Sequence, residues 1–154
     1  MQLAKRATRG SWKNKPIPKK RVRIEYHDTF TPAERDRIAL GLVPREMEDK
    51  WFIFLDGASL FFCRSWTGNC LYELTLAKKA GAYVTKAAWA NRDISQYKNT
   101  DGAYDAALLR FLVRGLLLAQ DVRFPSRGDL PRGVSKAIYR HHIIGHGRPS
   151  DAGG

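Results

Sequence analysis

The fold is decided by one continuous stretch, residues 51–91, which reads WFIFLDGASLFFCRSWTGNCLYELTLAKKAGAYVTKAAWAN. It opens with five apolar residues of types that favour β-strands, and Asp56-Gly57 directly after them is typical of a tight hairpin turn. Further turn residues follow at 67–69 and 78–81, so the strands between the turns are expected to be antiparallel neighbours. The third of these strands, residues 70–76, alternates apolar and polar residues, as a strand with one buried face does. The stretch therefore predicts four strands, over 51–55, 60–66, 70–76 and 82–90.

Two helices are predicted outside this stretch. Residues 101–120 are apolar around most of a helical circumference, so this helix must be covered, and one face of the sheet can cover it. A shorter helix is predicted over 31–41, because Thr31 can cap it, Pro32 suits its first turn and Glu34 can complete a capping box. The predicted fold class is α+β: a four-stranded antiparallel β-meander, with a long helix packed on one face and a short N-terminal helix.

The 154 residues fit one domain, and their charge is unevenly distributed. Residues 1–23 contain nine Lys and Arg and no acid, so they supply +9 of the net charge of +12. Proline and glycine accompany this charge, which predicts a basic disordered arm over 1–23. Residues 24–121 are predicted to be the α+β domain. Residues 122–154 are predicted to be a Pro/Gly-rich C-terminal extension with a possible short helix over 135–144.

The basic arm is predicted to bind polyanions. Each contact between a cationic side chain and a phosphate adds affinity that depends on salt and ignores sequence. Nucleic acid or another polyanion is therefore a possible partner, and a solubilising tail is the alternative. The candidate polyanion-binding residues are Lys5, Arg6, Arg9, Lys13, Lys15, Lys19, Lys20, Arg21 and Arg23.

A candidate ligand site lies at the end of the second strand, at residues 64–68. Arg64 or Ser65 is expected to point into a covered environment, where an arginine needs an acceptor. Two interpretations are open. Arg64 either forms an internal ion pair, or offers donors to a phosphate-bearing ligand stacked on an indole ring. The acids considered as its partners are Glu48, Asp49, Glu73, Asp93 and Asp105. The candidate ligand-binding residues are Arg64, Ser65, Trp66, Thr67, Trp89, Asn91 and Arg92.

The same residues carry a resemblance. The chain resembles a family of small uncharacterised bacterial proteins and domains in a pattern of short motifs. The pattern consists of Glu48-Asp49-Lys50-Trp51-Phe52, then Arg64-Ser65-Trp66-Thr67-Gly68 and Tyr72, then Asn91-Arg92-Asp93 with Gln96-Tyr97, and finally Asp101 with Tyr104-Asp105. The resemblance covers roughly residues 46–120. Relatives that accompany ADP-ribosylglycohydrolase-type proteins imply nucleotide or ADP-ribose biology, but the resemblance assigns no catalytic role.

Other motifs point away from catalysis and metal binding. Cys63 and Cys70 are interpreted as small buried hydrophobic residues. The histidines at 141, 142 and 146 have no cysteine nearby and only Asp151 in reach, so they predict a titratable basic patch rather than zinc. The chain has no Gly-x-Ser-x-Gly motif and no glycine-rich phosphate loop, so we expect no cofactor, no metal and no assigned catalytic residue.

We therefore expect a small, non-enzymatic binding protein for a phosphate-bearing ligand, which is a nucleotide, ADP-ribose or nucleic acid. The absence of a long apolar run and of a signal peptide predicts no membrane span and a cytoplasmic location. Two alternatives are open. One is an immunity- or antitoxin-like protein that binds a protein partner, and the other is a small enzyme acting on a nucleotide or ADP-ribose substrate.

Overall fold

A computed structural model of the chain describes residues 6–46 and 48–125. After a 3-10 turn at Arg9–Ser11, the elements are β1 (Arg21–Arg23), β2 (Thr29–Phe30), α1 (Pro32–Ala39), β3 (Trp51–Asp56), β4 (Ser59–Arg64), β5 (Cys70–Lys79), β6 (Ala82–Asn91) and α2 (Gly102–Arg110). A π-helical segment, Phe111–Leu117, continues α2 directly, so the two form one helix of sixteen residues. None of the helices in these ranges is long and apolar enough to cross a membrane.

The sheet has six strands, so the prediction of a four-stranded meander is wrong. Its strands are all antiparallel, in the order β1-β6-β5-β4-β3, and β2 also pairs with β6. The two additional strands come from the N-terminal part of the chain. They lie one after the other along β6, with Arg23 opposite Trp89 and Thr29 opposite Val84. They thereby occupy the edge of the sheet that a meander of β3 to β6 leaves open.

Residues 6–23, the described part of the predicted basic arm, make defined contacts with the rest of the fold. We call these residues the basic segment. The backbone N–H of Ala7 donates to the carbonyl of Leu40, and Ala7 is completely buried. The physical reason is that this segment is not uniformly polar: Ala7 and Ile17 pack against an apolar surface that β3 and β4 would otherwise expose. Residues 1–5, including Lys5, lie outside the described residues, and the division of the chain at residues 24 and 121 stays a prediction.

Both faces of the sheet are covered, which explains why all five residues from 51 to 55 are buried. Alternate residues point to opposite faces. One face, with Trp51 and Ile53, packs with Leu109 and Leu112 of the long helix into the main core. The other face carries a smaller cluster, which consists of Ala7, Phe52, Phe54, Cys63 and Cys70. The long helix and the basic segment therefore cover opposite faces.

The two helices follow their sequence signals in different degrees. The predicted capping box of α1 is present: the backbone N–H of Glu34 donates to Thr31 Oγ1 (3.1 Å), and the backbone N–H of Thr31 donates to Glu34 Oε1 (3.0 Å). The long helix begins at Asp101 as a cap, but its second half is π-helical rather than α-helical. Gly115 lies against the Phe111 ring, where a Cβ would be 3.2 Å from the nearest ring atom. The predicted helix over 135–144 and the histidine cluster lie outside the described residues.

Candidate functional site

Arg64 ends β4 and lies among aromatic rings. Its guanidinium carbon is 5.0 Å from the centroid of the Trp51 ring, and Trp51 is its direct partner across β3 and β4. Burial lowers the pKa of Arg64, because desolvation outweighs the influence of the nearby Tyr97 and Tyr72 hydroxyls. The sequence predicted a covered position for Arg64 or for Ser65; in the structure Ser65 is buried and Arg64 is half-buried.

Asp105, one of the acids named as candidate partners of Arg64, pairs with Arg92. Arg92 Nη2 lies 2.5 Å from Asp105 Oδ2, while the other carboxylate oxygen accepts hydrogen bonds from three side chains. The donors to Oδ1 are Tyr72 Oη (2.8 Å), Tyr97 Oη (2.7 Å) and Asn99 Nδ2 (2.9 Å). Asp105 is completely buried. A buried carboxylate with four donors is satisfied, so this cluster holds α2 to the end of the sheet.

The tyrosines of this cluster are held in their neutral form. Desolvation raises the pKa of Tyr72 well above its ordinary value, and the nearby Tyr97 and Asp105 raise it further. Desolvation and Asp105 likewise raise the pKa of Tyr97. Both hydroxyls therefore remain donors throughout the physiological pH range, which suits a permanent structural network better than proton transfer near neutral pH.

Asn91 and Ser65 are also occupied inside the protein. The Asn91 amide donates to the carbonyl of Cys70 (2.9 Å) and to Gln96 Oε1 (3.0 Å). Ser65 Oγ donates to the carbonyl of Asp49 (2.5 Å), and Ser65 is buried. These side chains join neighbouring loops to the sheet.

Trp66 and Thr67 lie outward at the turn that connects β4 and β5. Trp66 is 57% exposed, and Lys50 Nζ lies 4.3 Å from the centroid of its ring. The indole N–H of Trp12 donates to the carbonyl of Ser65 (2.7 Å), which brings a second aromatic residue to the same turn. We call Trp12, Lys50 and Trp66 the turn surface. Thr67 Oγ1 accepts a hydrogen bond from the backbone N–H of Asn69 (3.1 Å).

Trp89 lies elsewhere, on β6, beside two arginines of β1. The guanidinium carbons of Arg21 and Arg23 are 4.7 Å and 5.4 Å from the centroid of the Trp89 ring. Glu73 Oε1 lies 3.5 Å from Arg21 Nη1 and offsets one of the two charges. Lys19 and Lys20 come immediately before this strand and are exposed. We call Lys19, Lys20, Arg21, Arg23 and Trp89 the basic edge.

The structure thus distributes the predicted ligand-binding residues over three places. Asn91 and Ser65 are buried, and their chain neighbours Arg92 and Arg64 are half-buried. Trp66 and Thr67 lie at the turn, and Trp89 lies at the basic edge, where it meets Arg21 and Arg23 of the predicted polyanion-binding set. Sequence reasoning did not include Trp12 or Lys50 in the site. An indole inside a run of basic residues was the available signal for Trp12.

No protein-family model, curated protein or solved structure matches this chain. The resemblance described for residues 46–120 therefore stays a prediction, and the case for function depends on the geometry of the described residues. Of the three places, the first adjoins the Asp105 carboxylate, which already accepts four side-chain hydrogen bonds. The turn surface and the basic edge carry exposed side chains. The two open surfaces are the candidate binding sites.

Proposed function

We propose that the protein binds a phosphate-bearing polyanion, with nucleic acid as the ligand class, and that the basic edge makes the primary contact. The proposal depends on one observation: Arg21 and Arg23 of the edge strand β1 lie beside the ring of Trp89 on the neighbouring strand β6. Two like charges two residues apart on one strand repel each other. An indole face that attracts both guanidiniums offsets this repulsion and orients them.

Stacking leaves an arginine able to bind phosphate. The ring interacts with the flat face of the guanidinium, while its N–H donors point outward in the plane of the group. Arg21 and Arg23 can therefore remain against Trp89 and still donate to phosphate oxygens. Lys19 and Lys20 add two exposed charges at the start of the same strand.

A binding function is favoured over catalysis by the state of the titratable groups. The one buried carboxylate among the described residues, Asp105, accepts four donors and has no exposed surface. A general base needs an acceptor position that a substrate can reach. The open surfaces instead carry cations and indoles, which are groups suited to recognition.

The test is a titration of a fluorescently labelled single-stranded oligonucleotide with the full chain at several salt concentrations. The variant is Arg21→Gln with Arg23→Gln, which removes two charges and keeps side-chain length. We expect affinity to fall by about tenfold or more, since removal of a single hydrogen bond between arginine and phosphate costs on the order of 1.4 kcal/mol. The slope of log affinity against log salt should become shallower by about 0.7 for each phosphate that the variant no longer neutralises.

The matched control is Arg37→Gln with Arg45→Gln, which removes the same charge from exposed arginines outside β1. A general effect of net charge would weaken binding equally in both double variants, and that result would overturn the proposal. Point substitutions are preferable to removal of residues 1–23, because that deletion would also remove β1 and uncover the apolar cluster around Phe52 and Phe54.

A further inference from the structure

The turn surface exposes two large aromatic side chains close to cationic residues. Trp66 is 57% exposed and Trp12 is 37% exposed. An isolated exposed apolar side chain needs no explanation, but two indoles at one turn are a feature that binding surfaces enrich. Lys50 lies over the Trp66 ring, and Lys13 and Lys15 follow Trp12 as exposed residues.

The turn surface is held in place by hydrogen bonds between the basic segment and the turn that connects β4 and β5. Trp12 is anchored through its indole N–H to Ser65, and the backbone N–H of Lys15 donates to the carbonyl of Gly68 (2.8 Å). The basic segment approaches this turn so closely that a Cβ on Gly68 would lie 3.2 Å from the Asn14 Cα. Because the turn fixes the segment, the indoles are presented in a defined arrangement, which lowers the ordering cost of binding.

The same segment connects the turn surface with the basic edge. Lys15 of this segment contacts Gly68, and the carbonyl of Lys20 accepts a hydrogen bond from the backbone N–H of Arg92. The segment ends at Arg23, which pairs with Trp89 across β1 and β6. Arg23 comes eight residues after Lys15, so the path between the two contacts is at most about 28 Å long. Indole rings therefore lie near both ends of a segment that carries six cationic side chains between residues 13 and 23.

We infer that the ligand is single-stranded nucleic acid, with bases stacked on Trp66 at the turn surface while its phosphates follow residues 13–23 to the basic edge. This inference rests on the proposed function and deepens it. Single strands bind to cationic paths that carry aromatic platforms, because every unpaired base has a face that can stack. A duplex offers phosphates to the same path but keeps its base faces inside its own stack.

The test compares three probes on the full chain: single-stranded oligothymidylate, a DNA duplex of the same length, and inorganic polyphosphate, which has charge but no bases. The variant is Trp66→Ala. We expect it to weaken oligothymidylate binding by about 5- to 100-fold, the range that loss of one stacked base produces. Polyphosphate affinity should stay within about twofold, because the variant removes no charge.

Trp66→Tyr is the rescue variant, since it restores an aromatic face, and Ile94→Ala is the control for removal of another exposed apolar side chain. Recovery of most oligothymidylate affinity by Trp66→Tyr, with no effect of Ile94→Ala, supports the inference. Equal affinity of the native chain for single strand and duplex would overturn it, as would equal loss of oligothymidylate and polyphosphate binding in Trp66→Ala. Both of these results would leave the proposed function intact, whereas failure of all three probes to bind would overturn the proposed function itself.

Discussion

Arg92 and Asp105 form an ion pair at the end of the sheet in which neither partner has much access to water. The Asp105 side chain has no exposed surface, and the Arg92 side chain is 12% exposed. The acid comes from the first turns of α2 and the arginine from the loop that follows β6, so the pair fixes the helix against the sheet. The hydroxyls of Tyr72 and Tyr97 donate hydrogen bonds to the same carboxylate and help to satisfy it in its buried position.

Asp105→Asn should destabilise the protein strongly. The substitution keeps the size of the side chain but leaves the Arg92 charge buried without its counter-ion, which costs about 3–5 kcal/mol. Urea denaturation measures the loss as a lower midpoint with an unchanged slope. Asp121→Asn is the control at an exposed position and should change stability by less than about 0.5 kcal/mol. Similar midpoints for the two variants would show that the Asp105 carboxylate does not hold Arg92 in solution.

Asp28 provides a prediction about pH. Burial tends to raise its pKa, but hydrogen bonds from Arg114, Tyr26 and the backbone of Thr29 outweigh burial, so the net shift is downward. Arg114 contacts both carboxylate oxygens, with Nε 3.0 Å from Oδ2 and Nη2 2.7 Å from Oδ1. A depressed folded-state pKa contributes stability above the unfolded value of about 3.9, and this stability is lost as pH falls through the folded-state pKa.

Asp28→Asn should therefore be less stable than the native chain at neutral pH, by about 1–2 kcal/mol. The difference should shrink as pH is lowered below about 3.9, because protonation then removes the same charge from the native protein. Urea denaturation at a series of pH values measures it. Asp36→Asn, the control at an exposed position of α1, should change stability at neutral pH by less than about 0.5 kcal/mol. A deficit that stays constant down to the acid limit would mean that the charge of Asp28 contributes nothing.

The central strands could be located from sequence because their turn residues and periodicity agree. β3 to β6 begin and end within a few residues of the predicted bounds. β1 and β2 could not be located in the same way. They are three and two residues long, and the residues of β1 are exposed, so no buried periodic pattern marks them. Their pairing depends on the open edge of β6, which exists only after the other strands have assembled.

The choice between Arg64 and Arg92 as the partner of Asp105 was equally inaccessible to sequence reasoning. Arg64 is the last residue of β4 and Arg92 directly follows β6, and sequence spacing does not separate them as partners for this acid. Which arginine pairs with Asp105 depends on where the first turn of α2 packs against the sheet, and sequence spacing does not encode that tertiary distance. In contrast, the aromatic and basic residues of the two open surfaces are visible in the sequence, but only the structure shows that Trp89 meets Arg21 and Arg23.

Two glycines with the same backbone conformation separate the effect of strain from that of close packing. Gly41 has φ +66° and Gly57 has φ +64°, values that favour glycine at both positions. A Cβ on Gly57 would meet no atom within 4 Å, whereas a Cβ on Gly41 would lie 2.2 Å from the carbonyl oxygen of Ile53. That oxygen is held in place, since it accepts a hydrogen bond from the backbone N–H of Leu42 (2.8 Å).

Gly57→Ala should therefore cost only about 1–2 kcal/mol of stability, the penalty of the left-handed conformation. Gly41→Ala should cost about 4 kcal/mol or more, or prevent folding, as measured by circular dichroism and urea denaturation. Equal losses in the two variants would mean that the chain between α1 and β3 does not approach Ile53 this closely.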